Sequence, residues 1–321
     1  MSLLEIKGLE TEFQTEQGVV KALRGINYTV DRGEVLGIVG ESGSGKSVGM
    51  LSLMGLLAPN GTVTAGEMIF DGEDISPIKY KTKKEKKEYE KKMNQIRGND
   101  ISMIFQDPMS YLNPIVTIEK QMTEGIRFHT KCSKKEAVQR AVELMKMVGI
   151  PAPESRLKQY PFEFSGGMRQ RIIIAIALAC NPKLIVADEP TTALDVTVQA
   201  QILDLLKDIT RESNAGVIII THDLGVVASL CDRISIMYGG NIMEEGTTDE
   251  IFYDPKHPYT KGLLNSIANS NIDHREPLKP IPGTPPDLLK LGDQCPFASR
   301  CSEAMEICTK ASPPVSYTHL T

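Results

Sequence analysis

The stretch "GESGSGKS", Gly40–Ser47, decides the fold class of this chain. It follows the apolar run Val35–Val39 and precedes a segment with the pattern of a helix, and its spacing fits the phosphate loop G-x-x-x-x-G-K-[ST]. Gly40, Gly43 and Gly45 let the backbone curl, so that successive N–H groups face inward and bind phosphate oxygens. The N-terminus of the following helix adds partial positive charge. The motif therefore predicts a site for a nucleoside triphosphate.

Two side chains at the end of this loop have specific expected roles. Lys46 supplies a mobile positive charge for the β- and γ-phosphates, and the Ser47 hydroxyl is a predicted ligand of Mg²⁺. A second motif, "LIVADE" at Leu184–Glu189, is an apolar strand that ends in two carboxylates. Asp188 can hold Mg²⁺ directly or through water, and Glu189 can orient and polarise the water that attacks the γ-phosphate. Together the two motifs predict nucleotide hydrolysis.

A second anion site is predicted between these motifs, in "FSGGMRQR" at Phe164–Arg171. Ser165 is a candidate N-cap for the helix that follows, and Gly166 and Gly167 expose backbone N–H groups at its N-terminus. Three such residues alone are weak evidence. They gain weight because they lie after a phosphate loop and shortly before an Asp–Glu pair.

The remaining pattern predicts a mostly parallel α/β core. Continuous apolar strands alternate with helices in the second half of the chain, which is typical of parallel sheets covered on both faces. Near the N-terminus, "VVKALRGINYTV" and "AGEMIFDGEDI" alternate like antiparallel strands. Ser133 and Glu136 form the pattern of a capping box before a helix, and Gly239–Gly240 is the predicted turn of a hairpin.

The composition excludes several classes of protein. The 321 residues carry a net charge of −5, so the bulk charge gives no support for a nucleic-acid partner, which would need a basic stripe. No apolar run reaches the roughly 18 residues of a membrane-spanning helix. The first residues, "MSLLEIKGLE", lack the features of a signal peptide, and three scattered cysteines indicate a reducing compartment. We therefore expect a cytosolic protein, or one attached to a membrane only through a partner.

With these motifs in this order, the sequence resembles the nucleotide-binding subunits of ABC transporters from about residue 3 to residue 255. The family signature usually reads L-S-G-G-Q, and this chain has "FSGGM", in which the serine and both glycines are kept. The resemblance implies a P-loop ATPase core with a mostly parallel sheet, an antiparallel β subdomain and an α-helical signature subdomain at about 107–180. It implies an ABC nucleotide-binding domain at 1–255 and a small C-terminal extension at 256–321.

The resemblance also implies roles for residues that lie in family motifs. Gln106 in "FQDP" and His222 in "THD" join Glu189 as catalytic residues, and Ser47, Gln106 and Asp188 are the implied Mg²⁺ ligands. The resemblance further implies that two such subunits sandwich two ATP molecules, and that closing and reopening of this dimer drives the membrane subunits. The implied ATP contacts are Phe13, Ser42, Gly43, Gly45, Lys46, Ser47, Val48, Ser165, Gly166, Gly167 and Asp195.

The C-terminal extension narrows the resemblance. "HPYTKGLLNSI", "IPGTPPDLL" and "CPFASRCSEAMEIC" are together similar to the end of ATPases from dipeptide/oligopeptide and nickel importers. This implies an ATPase that powers peptide import, with a nickel importer as the alternative. The more distant alternatives are a non-transport ABC-type ATPase of DNA repair or translation, and a metal- or redox-regulated ATPase.

The resemblance to importer ATPases also implies partners and a location. The implied partners are a second ATPase subunit (a copy or a paralogue), two integral-membrane permeases and, indirectly, an extracytoplasmic peptide-binding protein. The location would be the cytoplasmic face of the membrane.

Three cysteines, Cys295, Cys301 and Cys308, have the spacing C-x₅-C-x₆-C. Thiolates this close can form a soft-metal site, either a [4Fe–4S] cluster or a Zn²⁺ site, which would pin a proline-rich extension with little core of its own. A set of four ligands needs one more, and His319 or an open position could complete it. The alternative is that the three are structural or free thiols.

Overall fold

The computed structural model describes residues 2–106, 111–191, 195–266 and 281–312. These residues form two compact units. The loop unit contains Ser2–Thr29, Leu36–Lys79 and the described part of Ile220–Thr321, and the signature unit contains Val30–Val35 and Tyr80–Ile219, apart from its undescribed residues.

An antiparallel sheet in the loop unit follows the strand order β2-β1-β4-β5. In β1, Leu4 pairs with Phe70 of β4, and the register shifts between Lys7 and Thr11. Buried and exposed residues alternate along these strands, as expected for a sheet with one covered face. The predicted antiparallel part is therefore confirmed. Its strands are β1 (Leu4–Thr15), β2 (Gly18–Val30), β4 (Gly61–Phe70) and β5 (Glu73–Asp74).

The loop unit also holds the strands next to the phosphate loop, in the order β10-β9-β3. Strand β3 (Val35–Val39) is buried along its whole length and runs parallel to β9 (Arg233–Tyr238). Strand β10 (Asn241–Thr247) is antiparallel to β9, and Gly239–Gly240 lies at the predicted hairpin turn. The helices of this unit are α1 (Lys46–Leu53), α8 (Leu224–Leu230), α9 (Thr248–Tyr253) and α10 (Pro258–Asn265).

The signature unit combines strands in the order β8-β7-β6 with most of the helices. Strand β6 (Ile101–Ile104) is parallel to β7 (Leu184–Asp188), and β8 (Gly216–Thr221) begins in this unit. Strands β7 and β8 are buried throughout, which explains their unbroken apolar sequences. The helices are α2 (Lys83–Ile96), α3 (Ile118–Thr130), α4 (Lys134–Met147), α5 (Pro153–Arg156), α6 (Gly166–Ala177) and α7 (Val196–Ser213).

Local capping signals explain where two of these helices begin. The predicted capping box before α4 is present, since Ser133 and Glu136 bond to each other's backbone N–H. Thr82 and Glu85 form the same box before α2, and the sequence analysis did not predict it. The predicted mostly parallel α/β fold with antiparallel and helical parts is confirmed, whereas the domain boundary at residue 255 stays a prediction.

The described part of the C-terminal extension is irregular between residues 281 and 312, with short 3₁₀ turns at Ala298–Arg300 and Glu306–Thr309. Specific hydrogen bonds and aromatic contacts attach this segment to the rest of the loop unit. The Arg24 guanidinium donates to the carbonyl oxygens of Leu291 and Gly292 at 2.7 and 2.9 Å. Phe297 is buried in an aromatic cluster with Tyr238 and Tyr259. A few specific contacts thus replace an extended hydrophobic core.

Candidate nucleotide-binding site

The phosphate loop has the backbone geometry that its glycines predict. Gly40 lies so close to β9 that a Cβ atom there would be 2.0 Å from the Met237 carbonyl oxygen. Gly45, directly before α1, has a φ of 103°, which is in the left-handed region that favours glycine. Ser47 and Val48 follow in the first turn of α1 and are half-buried. The loop therefore leads directly into a helix N-terminus, as a phosphate site requires.

Lys46 is folded back onto this loop. Its Nζ donates to the carbonyl oxygens of Gly40 and Glu41 at 2.7 and 2.9 Å. Only 7% of the residue is exposed. A buried ammonium needs such partners, and phosphate oxygens can take the place of the two carbonyl oxygens when a nucleotide binds.

The end of β7 brings two predicted catalytic residues together in the signature unit. Gln106 Nε2 donates to Glu189 Oε2 at 2.9 Å. Glu189 has a φ of 45°, a left-handed conformation that is uncommon for a residue other than glycine and is found preferentially at functional sites. Asp188 beside it is buried, and Gln170 of α6 donates to the Pro190 carbonyl oxygen at 2.7 Å. The strand end is thus held in a strained conformation next to a polarising amide.

The signature segment forms the predicted helix N-terminus. Ser165 is the N-cap of α6, and its hydroxyl accepts a hydrogen bond from the Met168 N–H at 3.3 Å. Ser165 and Gly166 are exposed, and Gly167 is half-buried. The segment therefore presents backbone N–H groups and a hydroxyl on the surface of its unit, where an anion can reach them.

Asp195 has a structural role that the sequence analysis did not predict. It is the N-cap of α7, and its carboxylate accepts the Val198 N–H at 2.9 Å. An aspartate three residues before the capped amide is an ordinary capping pattern, so the signal was present in the sequence. Its predicted ATP contact stays a prediction.

Two other predicted residues, His222 and Phe13, lie in the loop unit. His222 is exposed directly after β8. Phe13 is half-buried on β1, opposite Gly61 of β4, and its ring fills the space where a Cβ of residue 61 would stand. The roles of His222 at the γ-phosphate and of Phe13 on adenine stay predictions.

Sequence reasoning missed the partners of Glu41, the second residue of the loop. The Tyr259 hydroxyl accepts the Glu41 N–H at 3.0 Å. Arg300 Nη1 donates to Glu41 Oε2 at 2.8 Å. Both partners lie more than 200 positions away in the sequence and belong to the C-terminal extension, so no local pattern could indicate them.

The cysteine segment does not support the predicted iron–sulfur or zinc site. Among the described residues, no group of three or more His, Cys, Asp or Glu side chains is arranged to hold a metal ion. The segment is instead held by the hydrogen bond from the Cys295 N–H to the Cys308 carbonyl oxygen, at 2.9 Å. Burial raises the pKa of the Cys295 and Cys301 thiols, so that both keep their protons at neutral pH. His319, the candidate fourth ligand, lies outside the described residues.

No helix within the described ranges is both long and apolar enough to cross a membrane.

Comparison with known families gives two matches that follow one another along the chain. The ABC transporter family matches residues 23–192. The family described as oligopeptide/dipeptide transporter, C-terminal region, matches residues 243–308. The second match covers Tyr259, Arg300 and the three clustered cysteines.

Comparison with individual proteins agrees with both matches. The chain is 53% identical to the oligopeptide transport ATP-binding protein OppD of Bacillus subtilis, covering 99% of this chain and 87% of that protein. It is 50% identical to the dipeptide transport ATP-binding protein DppD of the same organism, covering 97% and 90%. Among solved structures, a dimeric ATP-binding cassette in a post-hydrolysis state with ADP and Pi matches with a TM-score of 0.65 and 29% identity, covering 76% of this chain and 98% of that one.

Proposed function

The chain belongs to the ABC transporter family, and from this premise we propose that it is the ATP-hydrolysing subunit that powers import of dipeptides or oligopeptides. One observation carries the proposal. About half of the residues are identical to oligopeptide and dipeptide transport ATP-binding proteins along almost the whole chain, including the C-terminal region. These relatives are named for oligopeptide and dipeptide transport, which does not favour a nickel importer or a non-transport ATPase.

The proposed roles follow from the geometry of each segment. Lys46, already beside the loop carbonyls, would bind the β- and γ-phosphates once it leaves them. Glu189 would orient and polarise the attacking water, with Gln106 holding its carboxylate. His222 would face the γ-phosphate. The proposed ATP contacts are Phe13, Ser42, Gly43, Gly45, Lys46, Ser47, Val48, Ser165, Gly166, Gly167 and Asp195.

The chemistry of three side chains fits Mg²⁺. Ser47, Gln106 and Asp188 offer hydroxyl, amide and carboxylate oxygens, which are the ligands that Mg²⁺ prefers. When bound, the ion would neutralise charge that develops on the phosphate oxygens. The cysteine segment has no part in this chemistry.

The proposed assembly is a dimer of ATPase subunits on two permeases. The exposed Ser165 and Gly166 support it, because an anion site on the surface of one subunit can close over ATP on another. The solved cassette that resembles this chain is described as dimeric. In this assembly the subunit would lie at the cytoplasmic face of the membrane, and an extracytoplasmic binding protein would deliver the peptide to the permeases.

Reconstitution tests the proposed function directly. The full chain is assembled with its permeases and partner ATPase in proteoliposomes, and uptake of labelled peptides and of Ni²⁺ is measured together with ATP hydrolysis. We expect ATP-dependent peptide uptake that Lys46→Ala abolishes. Uptake of Ni²⁺ alone would support the nickel importer, and binding of a DNA or RNA duplex with no uptake would contradict transport altogether.

A further inference from the structure

Glu41 is the point where the C-terminal extension contacts the phosphate loop. Its backbone N–H donates to the Tyr259 hydroxyl, and its carboxylate accepts from Arg300 Nη1. Its carbonyl oxygen accepts from Lys46 Nζ at 2.9 Å. One loop residue therefore joins the phosphate-binding lysine to two side chains of the extension.

Several contacts besides the one with Glu41 hold the Arg300 side chain in place. Only 5% of its side chain is exposed. Its Nη1 also donates to the Tyr238 hydroxyl at 2.9 Å, its Nε to the Pro282 carbonyl oxygen at 2.9 Å, and its Nη2 to the Ile281 carbonyl oxygen at 3.2 Å. The guanidinium lies over the Tyr238 ring, 5.6 Å from its centroid. With three of its N–H groups bonded to other partners and one face over Tyr238, the group is preorganised to bind the Glu41 carboxylate.

Tyr259 is fixed in a comparable way. The residue is completely buried, and its ring lies 4.6 Å from that of Tyr238 and 5.2 Å from that of Phe297, between centroids. Its backbone N–H donates to His257 Nδ1 at 3.1 Å, at the start of α10. The hydroxyl that meets Glu41 therefore projects from a rigid aromatic cluster.

These contacts matter for nucleotide binding because of charge and backbone geometry. A carboxylate in the phosphate loop repels a triphosphate unless a cation cancels its charge, and the repulsion is strong in a partly buried site. A loop that binds phosphate through successive N–H groups also needs a fixed backbone. Arg300 supplies the charge, and Tyr259 fixes the backbone at Glu41.

We propose that Tyr259 and Arg300, which we call the Glu41 clamp, are positioning residues for ATP binding by the phosphate loop. The extension thereby sets the nucleotide affinity of its own subunit, in addition to any role in the assembled transporter. The proposal rests on the proposed function only in that the loop binds ATP.

Binding of Mg²⁺-ATP to the purified full chain, measured by calorimetry at two salt concentrations, tests the clamp. We expect Arg300→Met to weaken binding about tenfold, the order of effect of removing one close charge pair, and to do so more at low salt. Glu41→Gln in the Arg300→Met background removes the uncancelled charge, and affinity should return to within about twofold of wild type. Tyr259→Phe keeps the aromatic packing and should weaken binding about threefold, the loss of one neutral hydrogen bond.

A matched control separates the clamp from general damage to the extension. Lys310→Met removes an exposed ion pair with Glu306 in the same segment, and binding should not change. Thermal unfolding of each variant checks that it is folded. The proposal is wrong if Arg300→Met binds Mg²⁺-ATP as tightly as wild type. It is also wrong if adding Glu41→Gln to Arg300→Met does not restore the affinity. If wild type itself fails to bind ATP, the proposed function fails instead.

Discussion

The phosphate loop and the signature segment are both candidate anion sites at helix N-termini. They differ in how far their residues are buried and bonded within their own unit. In the loop, Ser42 and Gly43 are exposed, but Ser44, Gly45 and Lys46 are buried, and Lys46 and Glu41 have partners inside the same unit. In the signature segment, Ser165 and Gly166 are exposed. The first site is built to bind a ligand alone, whereas the second presents its donors to another molecule.

This difference has a functional consequence in the proposed dimer. Changes in the loop should alter ATP binding by the isolated chain. Changes in the signature segment should leave that binding intact and alter only the steps that need a second subunit. Substitutions at Lys46, Glu189 and Ser165 test this division, and their expected effects decrease in that order.

Lys46→Ala should have the largest effect. Without the ammonium, ATP affinity of the isolated chain should fall about a hundredfold, because charge-assisted bonds to phosphate are lost, and hydrolysis should be undetectable. Calorimetry and a phosphate-release assay measure the two quantities. Lys79→Ala is the control, since Lys79 is an exposed lysine of the same unit, paired with Asp74. A Lys46→Ala variant that binds ATP normally would contradict the assignment of the loop.

Glu189→Gln should leave ATP binding intact and slow hydrolysis about a thousandfold, the range of general-base catalysis. The amide keeps an oxygen that can accept the bond from Gln106, so the strand end keeps its shape. Because ATP is not consumed, a closed dimer should accumulate, which size-exclusion chromatography with light scattering detects. Glu90→Gln, in an exposed pair with Arg97, is the control. Undiminished turnover would exclude Glu189 as the catalytic carboxylate.

Ser165→Ala tests the other side of the comparison. We expect unchanged ATP affinity of the isolated chain but turnover of the assembled transporter reduced about tenfold, because the hydroxyl would contact phosphate only across the dimer. The substitution also removes an N-cap, at a cost of about 1 kcal/mol.

Ser133→Ala is the matched control for Ser165→Ala. It removes the same kind of cap from α4 in the same unit, so its stability should fall similarly while turnover stays normal. If both variants lose turnover equally, lower stability rather than a lost phosphate contact explains the effect. The proposed role of Ser165 across the dimer would then be wrong.

The parts of the fold that could be predicted from the sequence are those determined by neighbouring residues. The phosphate loop, the Gly239–Gly240 hairpin turn and the Ser133–Glu136 capping box depend on spacing within a few positions. Buried strands such as Leu184–Asp188 are indicated by their continuous apolar sequence.

The parts that could not be predicted depend on tertiary contacts. Arg300 and Glu41 are 259 positions apart. The segment that carries Arg300, residues 281–312, contains only short 3₁₀ turns and no periodic pattern. The cysteine spacing is a related case, because closeness in sequence does not by itself assemble three thiols into a metal site, and no such site is found among the described residues. Asp195 is a third case, because the local sequence carries its capping signal, an aspartate three residues before the amide that it caps.

The last prediction concerns the segment that supports the loop, and it is a change of stability with pH rather than of ATP binding or turnover. Burial lowers the pKa of His257 to about 4, and the positive charge of Lys261 acts in the same direction. The neutral ring is needed in the fold, since Nδ1 accepts the Tyr259 N–H, while the Glu244 carboxylate binds the backbone N–H groups of Lys256 and His257.

The sign of the pH effect follows from where each state binds the proton. The unfolded chain takes up a proton near pH 6.5, whereas folded His257 does so only near pH 4, so the free energy of unfolding falls as pH drops through this window. Between pH 7 and pH 5 the loss should be about 2 kcal/mol.

Chemical denaturation at both pH values measures this loss, with His257→Asn as the variant that keeps an N-cap acceptor but does not titrate in this range. The variant should lose about 2 kcal/mol less than wild type on acidification. A His257→Asn variant that loses as much stability as wild type between pH 7 and pH 5 would contradict the role of His257 in this pH dependence.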